Sequence, residues 1–555
     1  MNRNISSHFS QLPSANIRRS VFDRSSSHKT SFNVGELIPL YVDEILPADT
    51  VSITTSKVVR LQTLLTPIFD NVYLDTYWFF VPNRLVWEHW EEFCGERKTS
   101  YYENEPSYQI PHIALPEDGF ESGTIADYMG IPVGLRDSEV TGTSYPSALP
   151  FRGYALICDS FFRDQNLTQP LNIPKGDANQ QGSNGDDYID DVANGGKPFK
   201  VAKFHDYFTS CLDTPQADAS MLGADFVHTP SVPLGTARNL PVIPIAGLDN
   251  RYMPQLESTV YKAGPVDTGH LYKNIEDDGD ATFALSGYST APINLAVPDG
   301  IELGRLGIED LRIAFATQAF LEKTKRSGSR YAEMLKAHFG VMSPDSRLQS
   351  PEYLGGNRIR LNVSAVANHA QSEEDFLGDL GANSVTTDVH MDFQKSFTEH
   401  GYLFCVGCVR YDHTYSQGLE RFWMRKNLLD FYFPLFANIG EQPVYRDEIY
   451  YTGSGDDDVF GYQEAWADYR YKPSRLSGEM RPDVDNSLAL WHLGDNYDTA
   501  PTLSDEWIRE DKTNIDRVLA VTSQVSNQIF GDFYFKAKYT RPMPMYSVPA
   551  MLGSF

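Results

Sequence analysis

The residues that could bind a metal ion or a nucleotide are few, and none of them has the complete spacing for either task. Cys405 and Cys408 form the one CxxC pair of the chain. In an extended strand, residues three positions apart point to opposite faces, so the two sulfur atoms cannot converge on one metal ion. The run from Gly195 to Pro198 ends in proline, where a phosphate-binding loop needs serine or threonine to hold magnesium. Both patterns favour a structural role.

Two acidic segments resemble the start of a cation-binding loop. Residues 274–279 begin like a calcium loop, but its twelfth position is Leu285 where that loop has a chelating glutamate. Residues 456–458 follow a glycine-rich turn and indicate a solvated loop tip. A pair of carboxylates for glycoside hydrolysis stays open, because spacing in sequence does not fix distance in space. We predict no catalytic residue, no metal site and no cofactor.

Positive charge is concentrated at the two ends of an acidic chain. The whole sequence has 47 basic and 74 acidic residues, which gives a formal net charge of −27. Residues 1–31 have five basic residues and one acidic residue, and residues 533–555 have no acidic residue. The candidate nucleic-acid contacts are the cations of these two ends: Arg3, Arg18, Arg19, Arg24, Lys29, Lys536, Lys538 and Arg541. They would contact phosphates without reading base sequence. The alternative is that the N-terminal segment only connects neighbouring copies of the chain.

Length and composition indicate a large globular protein. The 555 residues allow about three or four domains, or one large core with insertions. Hydrophobic residues make up 41% and charged residues 22%, which argues against wholesale disorder. No apolar run approaches the roughly 18 residues of a membrane helix, and the first residues lack the apolar centre of a secretory signal. Five cysteines are too few for a disulfide framework.

Strand patterns are spread along the whole chain. Alternation of apolar and polar residues indicates strands near 51–55, 359–365 and 533–539. Runs of β-branched and aromatic residues indicate two more, at 72–81 and 402–411. The sequence therefore predicts a mainly β protein, a sandwich or jelly roll that carries insertions.

Helical patterns are fewer, and one region has neither pattern. Asn83 is expected to cap a short helix over 84–93. Apolar residues spaced by four predict helix over 311–339, with an interruption at Gly328. Residues 171–300 are rich in Gly, Asn, Asp and Pro, so we expect surface loops or an insertion there, and no core layer.

Six segments carry motifs of a known viral family. They are His8-Phe9-Ser10 with Pro13, the run YWFFVPNRL from Tyr77 with Trp87 and Trp90, and residues 154–167, 203–208, 328–356 and 461–472. These segments resemble the major capsid protein of microviruses, the small icosahedral phages with circular single-stranded DNA, and in particular its gokushovirus branch. The block 331–356 is the most specific. Residues 221–304 show no likeness, at the place where that family has a long variable insertion.

The resemblance implies a single jelly roll, an eight-stranded antiparallel sandwich with long inter-strand insertions and a few helices. It also implies that the chain is a homo-oligomer, forming a T=1 icosahedral shell around packaged single-stranded DNA. The other implied partners are a small basic DNA-packaging protein, an internal scaffolding protein, a minor pilot protein and a bacterial host-surface receptor. The expected location is the virion capsid, made in the bacterial host cytoplasm, with no membrane partner.

The predicted organisation has four parts. They are a basic N-terminal arm at 1–33, the first part of the jelly-roll core with loops at 34–220, a variable surface insertion and threefold-protrusion candidate at 221–304, and a helical segment with the rest of the core and a C-terminal tail at 305–555. We predict a structural capsid protein that is not an enzyme. One alternative is a β-rich glycan-binding or glycan-cleaving protein, which would stay monomeric. The other is a phage tail or adhesin component, which would form trimers or fibres.

Overall fold

The structure is a computed structural model that describes most of the chain. The described residues are 18–96, 107–137, 140, 145–216, 271–275, 281–285, 308–327, 331–340, 349–367, 378, 380–453 and 458–546. The chain forms two compact units, Met1–Ala217 with Leu321–Phe555, and Asp218–Phe320. The predicted boundaries of the four parts stay a prediction.

Strands outnumber α-helices in the described residues. The strands are β1 Ser20–Asp23, β2 Ser26–Phe32, β3 Ile38–Ile45, β4 Thr50–Leu61, β5 Val72–Pro82, β6 Ile113–Ala114, β7 Gln180–Gln181, β8 Leu271–Ile275, β9 Ala281–Leu285, β10 Glu352–Arg360, β11 Val363–Ala367, β12 Leu380–Ser384, β13 Thr386–Ser396, β14 Gly401–Tyr411, β15 Glu441–Tyr445, β16 Val459–Glu464 and β17 Ile529–Arg541. The helices are α1 Asn83–Val86, α2 Trp90–Phe93, α3 Ile125–Tyr128, α4 Leu149–Ile157, α5 Ile308–Ser327, α6 Tyr331–Phe339, α7 Arg421–Met424, α8 Ala467–Arg470, α9 Asp505–Ile508 and α10 Thr513–Asp516. No helix among the described residues is long and apolar enough to cross a membrane.

Two antiparallel sheets form the sandwich. In the first sheet the order is β1-β17-β4-β13, and β2 pairs with the same β17 further along its length. In the second sheet the order is β10-β5-β14-β3. If β1 and β2 count as one strand, the sandwich has eight strands. Numbered 1 to 8 along the chain, these are β1/β2, β3, β4, β5, β10, β13, β14 and β17. Their order across the sheets is then 1-8-3-6 in the first and 2-7-4-5 in the second. This is the double Greek key of a jelly roll, so the predicted fold is confirmed.

The first sheet has one buried face and one exposed face. On β17 the side chains of Phe535 and Ala537 enter the sandwich core, whereas those of Lys536 and Lys538 point to solvent. Strict alternation of this kind is what a sheet with one solvated face requires. The outer face of this sheet is therefore available for contacts.

The central strands of the second sheet, β5 and β14, are buried on both faces. Trp78 of β5 packs into the sandwich core, and its neighbour Phe79 packs against a second cluster that includes residues of α4. Cys405 and Cys408 of β14 likewise belong to opposite clusters, as predicted from their spacing. A strand covered on both sides can be apolar at almost every position, which explains the unbroken apolar runs in β5 and β14.

Two connections in the jelly roll are long: β5 to β10 and β14 to β17. The first of these carries α4 and the segment 171–216, which we expected to be surface loops only. That expectation was wrong, because Val192, Phe199 and Val201 are buried against the outer face of the second sheet. The polar residues of this segment make its turns, and a few apolar side chains between those turns supply the covering layer.

The structure also corrects three local predictions. The predicted helix 84–93 is two short helices, α1 and α2, because the chain turns out of helical geometry at Trp87, which is buried. The alternation at 359–365 belongs to two strands, since β10 ends at Arg360 and β11 pairs only with β12. Residues 20–32, expected to be part of the basic N-terminal arm, are the edge strands β1 and β2. Backbone pairing with β17 holds them in the sheet despite their polar side chains. The helical pattern over 311–339 is confirmed as α5 and α6.

Candidate nucleic-acid interface

The outer face of the first sheet brings cationic, hydroxyl and aromatic side chains together. Tyr534, Lys536 and Lys538 alternate along β17 on this face. Their partners in the neighbouring strand β4 are Ser56, Thr54 and Ser52, respectively. Directly opposite residues of antiparallel strands have Cβ atoms about 5 Å apart, so each lysine stands beside a hydroxyl group. Ammonium and hydroxyl groups are both hydrogen-bond donors to phosphate oxygens.

Two of the predicted cations hold the edge of the sandwich together. The Arg24 guanidinium donates to the Asp43 carboxylate at 2.6 Å, which links the β1–β2 edge to β3 of the second sheet. The Arg541 guanidinium donates to the buried carboxylate of Asp49 at 2.9 Å. Both guanidinium groups lie over the ring of Tyr539, at 5.3 and 4.8 Å from its centroid. These contacts give Arg24 and Arg541 a structural role within the chain.

Three other predicted cations are exposed near the same edge. Lys29 forms an exposed ion pair with Asp532 at 3.2 Å, and solvent screens such a pair strongly. Arg19 is exposed and donates to the hydroxyl of Thr50 at 2.8 Å. Arg18 is exposed as well. These three side chains can contact a ligand without breaking an interaction with a buried group.

Lys536 and Lys538 are exposed and form no ion pair with any residue that the structure describes. The acidic group opposite Lys538 is Asp23 of β1. Hydrogen bonds from Ser25 hold the pKa of Asp23 below its usual value, and the charges of the two lysines lower it further. Arg3, the remaining predicted contact, lies outside the described residues.

One cation of this face was missed from the sequence. Arg60 of β4 is exposed opposite Phe530 of β17. It continues the alternation of Ser52, Thr54 and Ser56, so the strand period could have placed it on the same face. Lys29, Arg60, Lys536 and Lys538 outnumber the acidic residues Asp23 and Asp532 there, so this face is locally positive in a chain of net charge −27.

A buried ionic cluster lies just beyond the end of β14. His413 Nδ1 is 2.9 Å from Asp495 Oδ1, and its Nε2 is 3.1 Å from Glu510 Oε1. Burial disfavours the charged imidazole, but the two carboxylates outweigh it and raise the pKa of His413 to about 10. The same charge lowers the pKa of buried Asp495, despite its desolvation. Both ring nitrogens are therefore donors, and neither is free to act as a general base.

The described residues contain no group of three or more His, Cys, Asp or Glu side chains that could hold a metal ion.

Over nearly its whole length, the sequence is similar to those of known proteins. Residues 10–551 match the family model described as Capsid protein (F protein). The chain belongs to this family of phage capsid proteins.

Three relatives agree with the family model, and each carries the description Capsid protein VP1. The relative from Bdellovibrio phage phiMH2K is 37% identical over 554 residues, which cover 99% of this chain and 98% of the relative. The relative from Spiroplasma virus 4 is 39% identical over 535 residues, 94% of each chain. The relative from Chlamydia phage 1 is 35% identical over 612 aligned positions, 98% of this chain and 97% of the relative.

These matches confirm the resemblance to gokushovirus-like microvirus capsid proteins. The protein has a structural role in the capsid of a phage virion, and its family is not known for enzymatic activity, as predicted. A capsid protein assembles with other copies into a multimeric shell. The capsid role replaces the two alternatives, a glycan-active protein and a tail or adhesin component.

Proposed function

We propose that copies of this chain close into a T=1 icosahedral shell around circular single-stranded DNA, and that Lys536 and Lys538 contact the DNA backbone. The observation that carries the proposal is the position of these two lysines. They are exposed, unpaired within the described fold and flanked by hydroxyl groups on the outer face of the first sheet. In a capsid protein, a positive face on an otherwise acidic chain is suited to the packaged polyanion.

Phosphate contacts of this kind position DNA without reading its sequence. Arg18, Arg19, Lys29 and Arg60 would extend the same basic surface, and Arg3, which lies outside the described residues, stays a candidate contact. Exposed aromatic side chains on β17, such as Tyr534, add a stacking surface that tolerates any base. Arg24 and Arg541 are left out of this proposal, because their guanidinium groups already bind carboxylates of the chain.

The test is the double variant Lys536→Gln/Lys538→Gln, measured for single-stranded DNA affinity over a range of salt concentrations. Each lost phosphate contact should lower the log–log salt slope by about 0.7, so the pair should lower it by about 1.4. The DNA content of purified particles should fall as well. The matched control is Lys175→Gln/Lys200→Gln, which removes the same charge from exposed positions elsewhere. An unchanged slope in the first variant, with normal DNA content, would refute the contact.

We also propose that residues 221–304 form a surface protrusion, at the threefold axes of the shell, that contacts a bacterial host-surface receptor. Their replacement by a short Gly/Ser linker should leave shell assembly intact and reduce attachment to host cells. Loop-closure entropy changes by only about 0.6 kcal/mol per doubling of loop length, so the core should tolerate the change. Insoluble protein would place the segment in the core and contradict the assignment.

The remaining proposals concern the assembly partners. An acidic chain cannot neutralise a genome by itself, so a small basic DNA-packaging protein is expected to share that task. An internal scaffolding protein and a minor pilot protein complete the proposed set, with assembly in the host cytoplasm. Co-purification of particles from infected cells, followed by mass spectrometry, tests each of these partners directly.

A further inference from the structure

The segment from Arg421 to Ile439, called the apolar segment below, exposes a dense series of large apolar side chains. Nine of its nineteen residues are large hydrophobic residues on the exposed surface of the chain. Leu428 is 72% exposed and Leu435 is 87% exposed. Singly scattered apolar residues are normal on protein surfaces, but such a concentration in one segment is typical of an interaction site.

The apolar segment is held in a fixed conformation by the rest of its connection. The carboxylate of Asp430 accepts hydrogen bonds from the backbone N–H groups of Lys426 and Asn427, at 2.8 and 2.7 Å. The indole N–H of Trp466 donates to the carbonyl oxygen of Phe436 at 2.8 Å. A surface that is ordered before it binds loses less conformational entropy on binding.

A second anchor fixes the start of the segment and borders a cavity. The Arg425 guanidinium forms an ion pair with Asp468 and lies 4.3 Å from the ring centroid of Tyr469. The adjoining cavity has a volume of about 170 Å³, and its lining combines aromatic residues such as Phe422 with charged residues such as Glu420. A preformed pocket beside exposed aromatic residues can accept an anchoring side chain from a partner.

The charges of the apolar segment are balanced within the chain. Arg421 pairs with Glu448 and Arg425 with Asp468, and the segment's other two charges, Lys426 and Asp430, are of opposite sign. Because the whole chain has a net charge of −27, most of its surface repels another copy, whereas this segment adds no net negative charge. Its apolar centre and charged margin also match the composition of subunit interfaces.

We propose that the apolar segment docks on a second copy of this chain and is one of the subunit contacts of the shell. The inference rests on the proposed shell, since a capsid subunit is surrounded by copies of itself. The occupant is a second copy because the segment is apolar and without net negative charge in an otherwise acidic chain, and because a capsid protein assembles with other copies of itself. Leu428 and Leu435 are the central contacts.

The first experiment compares two double variants of the full chain. Leu428→Asp/Leu435→Asp should fold normally, since both side chains are exposed, but should lower the yield of particles at least about tenfold. Leu428→Met/Leu435→Met keeps the apolar surface and should assemble like the parent. Circular dichroism checks the fold, and sedimentation velocity with electron microscopy counts the particles. Normal assembly of the aspartate variant would overturn the proposal.

The second experiment separates a subunit contact from a DNA contact. Leu435→Cys is made in a Cys94→Ser background, where the four other cysteines are buried. Maleimide labelling should slow at least about tenfold on going from dissociated subunits to particles, and it should do so in empty and DNA-filled particles alike. Fast labelling in empty particles would overturn the docking surface, and protection only in filled particles would assign the segment to DNA. A parent chain that forms no particles would refute the proposed shell instead.

Discussion

The buried His413 cluster predicts that the chain loses stability in mildly alkaline solution. His413 follows β14 directly, whereas Asp495 and Glu510 come from the far part of the β14–β17 connection. The imidazole contacts the carboxylates of Asp495 and Glu510 and the ring of Tyr411. The other charged and polar groups near these carboxylates are Lys203, Tyr415, Tyr497, Asn514 and Arg517. The cluster therefore attaches the long β14–β17 connection, which includes the apolar segment, to the end of the sandwich.

The sign of the effect follows from the direction of the pKa shift. The pKa of His413 is raised from 6.5 to about 10 in the folded chain, so folding favours the protonated imidazole. This contribution to stability is complete below pH 6.5 and is lost as the pH rises through about 10. Each pH unit inside that window corresponds to at most about 1.4 kcal/mol, so the total is a few kcal/mol.

Urea unfolding at a series of pH values from 6 to 10 measures this contribution. Four of the seven tryptophans, Trp423, Trp466, Trp491 and Trp507, lie in the clamped connection, so their fluorescence reports its release. His413→Gln should be less stable near pH 6.5 by roughly 3–5 kcal/mol, because the buried carboxylates lose their partner. It should also lose most of the pH dependence. His205→Gln, at an exposed position, is the matched control. A parent midpoint that stays constant across the window, or an equally steep dependence in His413→Gln, would refute this reasoning.

Two further predictions use other buried groups. Asp75 accepts hydrogen bonds from Arg358 at 2.6 Å and from Arg410 at 2.6 Å. Asp75→Asn should therefore lower the free energy of unfolding by roughly 3–5 kcal/mol, measured by urea unfolding at neutral pH; an effect below about 1 kcal/mol would contradict the role of the carboxylate. A thiol reagent should modify one of the five cysteines in the folded chain and all five in denaturant. Burial raises the pKa of Cys408 to about 12, whereas Cys94 is exposed, so a second fast-reacting thiol in the native protein would contradict the described burial.

Strands with a regular period could be predicted from the sequence, and their sheet order could not. The alternation at 533–539 and the apolar run at 402–411 both correspond to strands, β17 and β14. Nothing local shows that β17 lies between β4 and the edge strands β1 and β2, because those pairings join residues several hundred positions apart. The edge strands themselves were missed because backbone hydrogen bonds, which depend little on side-chain type, hold residues 20–32 in place.

The candidate site was only partly predictable for a related reason. Net charge drew attention to both ends of the chain, and Lys536 and Lys538 do share an exposed face with Lys29. Charge alone could not distinguish them from Arg24 and Arg541, whose carboxylate partners come from β3 and from the β3–β4 turn. Arg60 was missed because it lies far from either terminus in sequence and joins the same face only through the pairing of β4 with β17.

The burial of the second sheet limits where this capsid protein can contact anything. Both faces of β5 and β14 are covered within the chain, so they offer no surface to a neighbour. Among the described residues, the outer face of the first sheet and the long connections do offer exposed surface for contacts with DNA or with other copies. The two differ in chemistry, since the sheet face combines lysines with hydroxyl groups and the apolar segment exposes leucines and aromatic residues. Because of that difference, we assign DNA to the outer face of the first sheet and a second copy of the chain to the apolar segment.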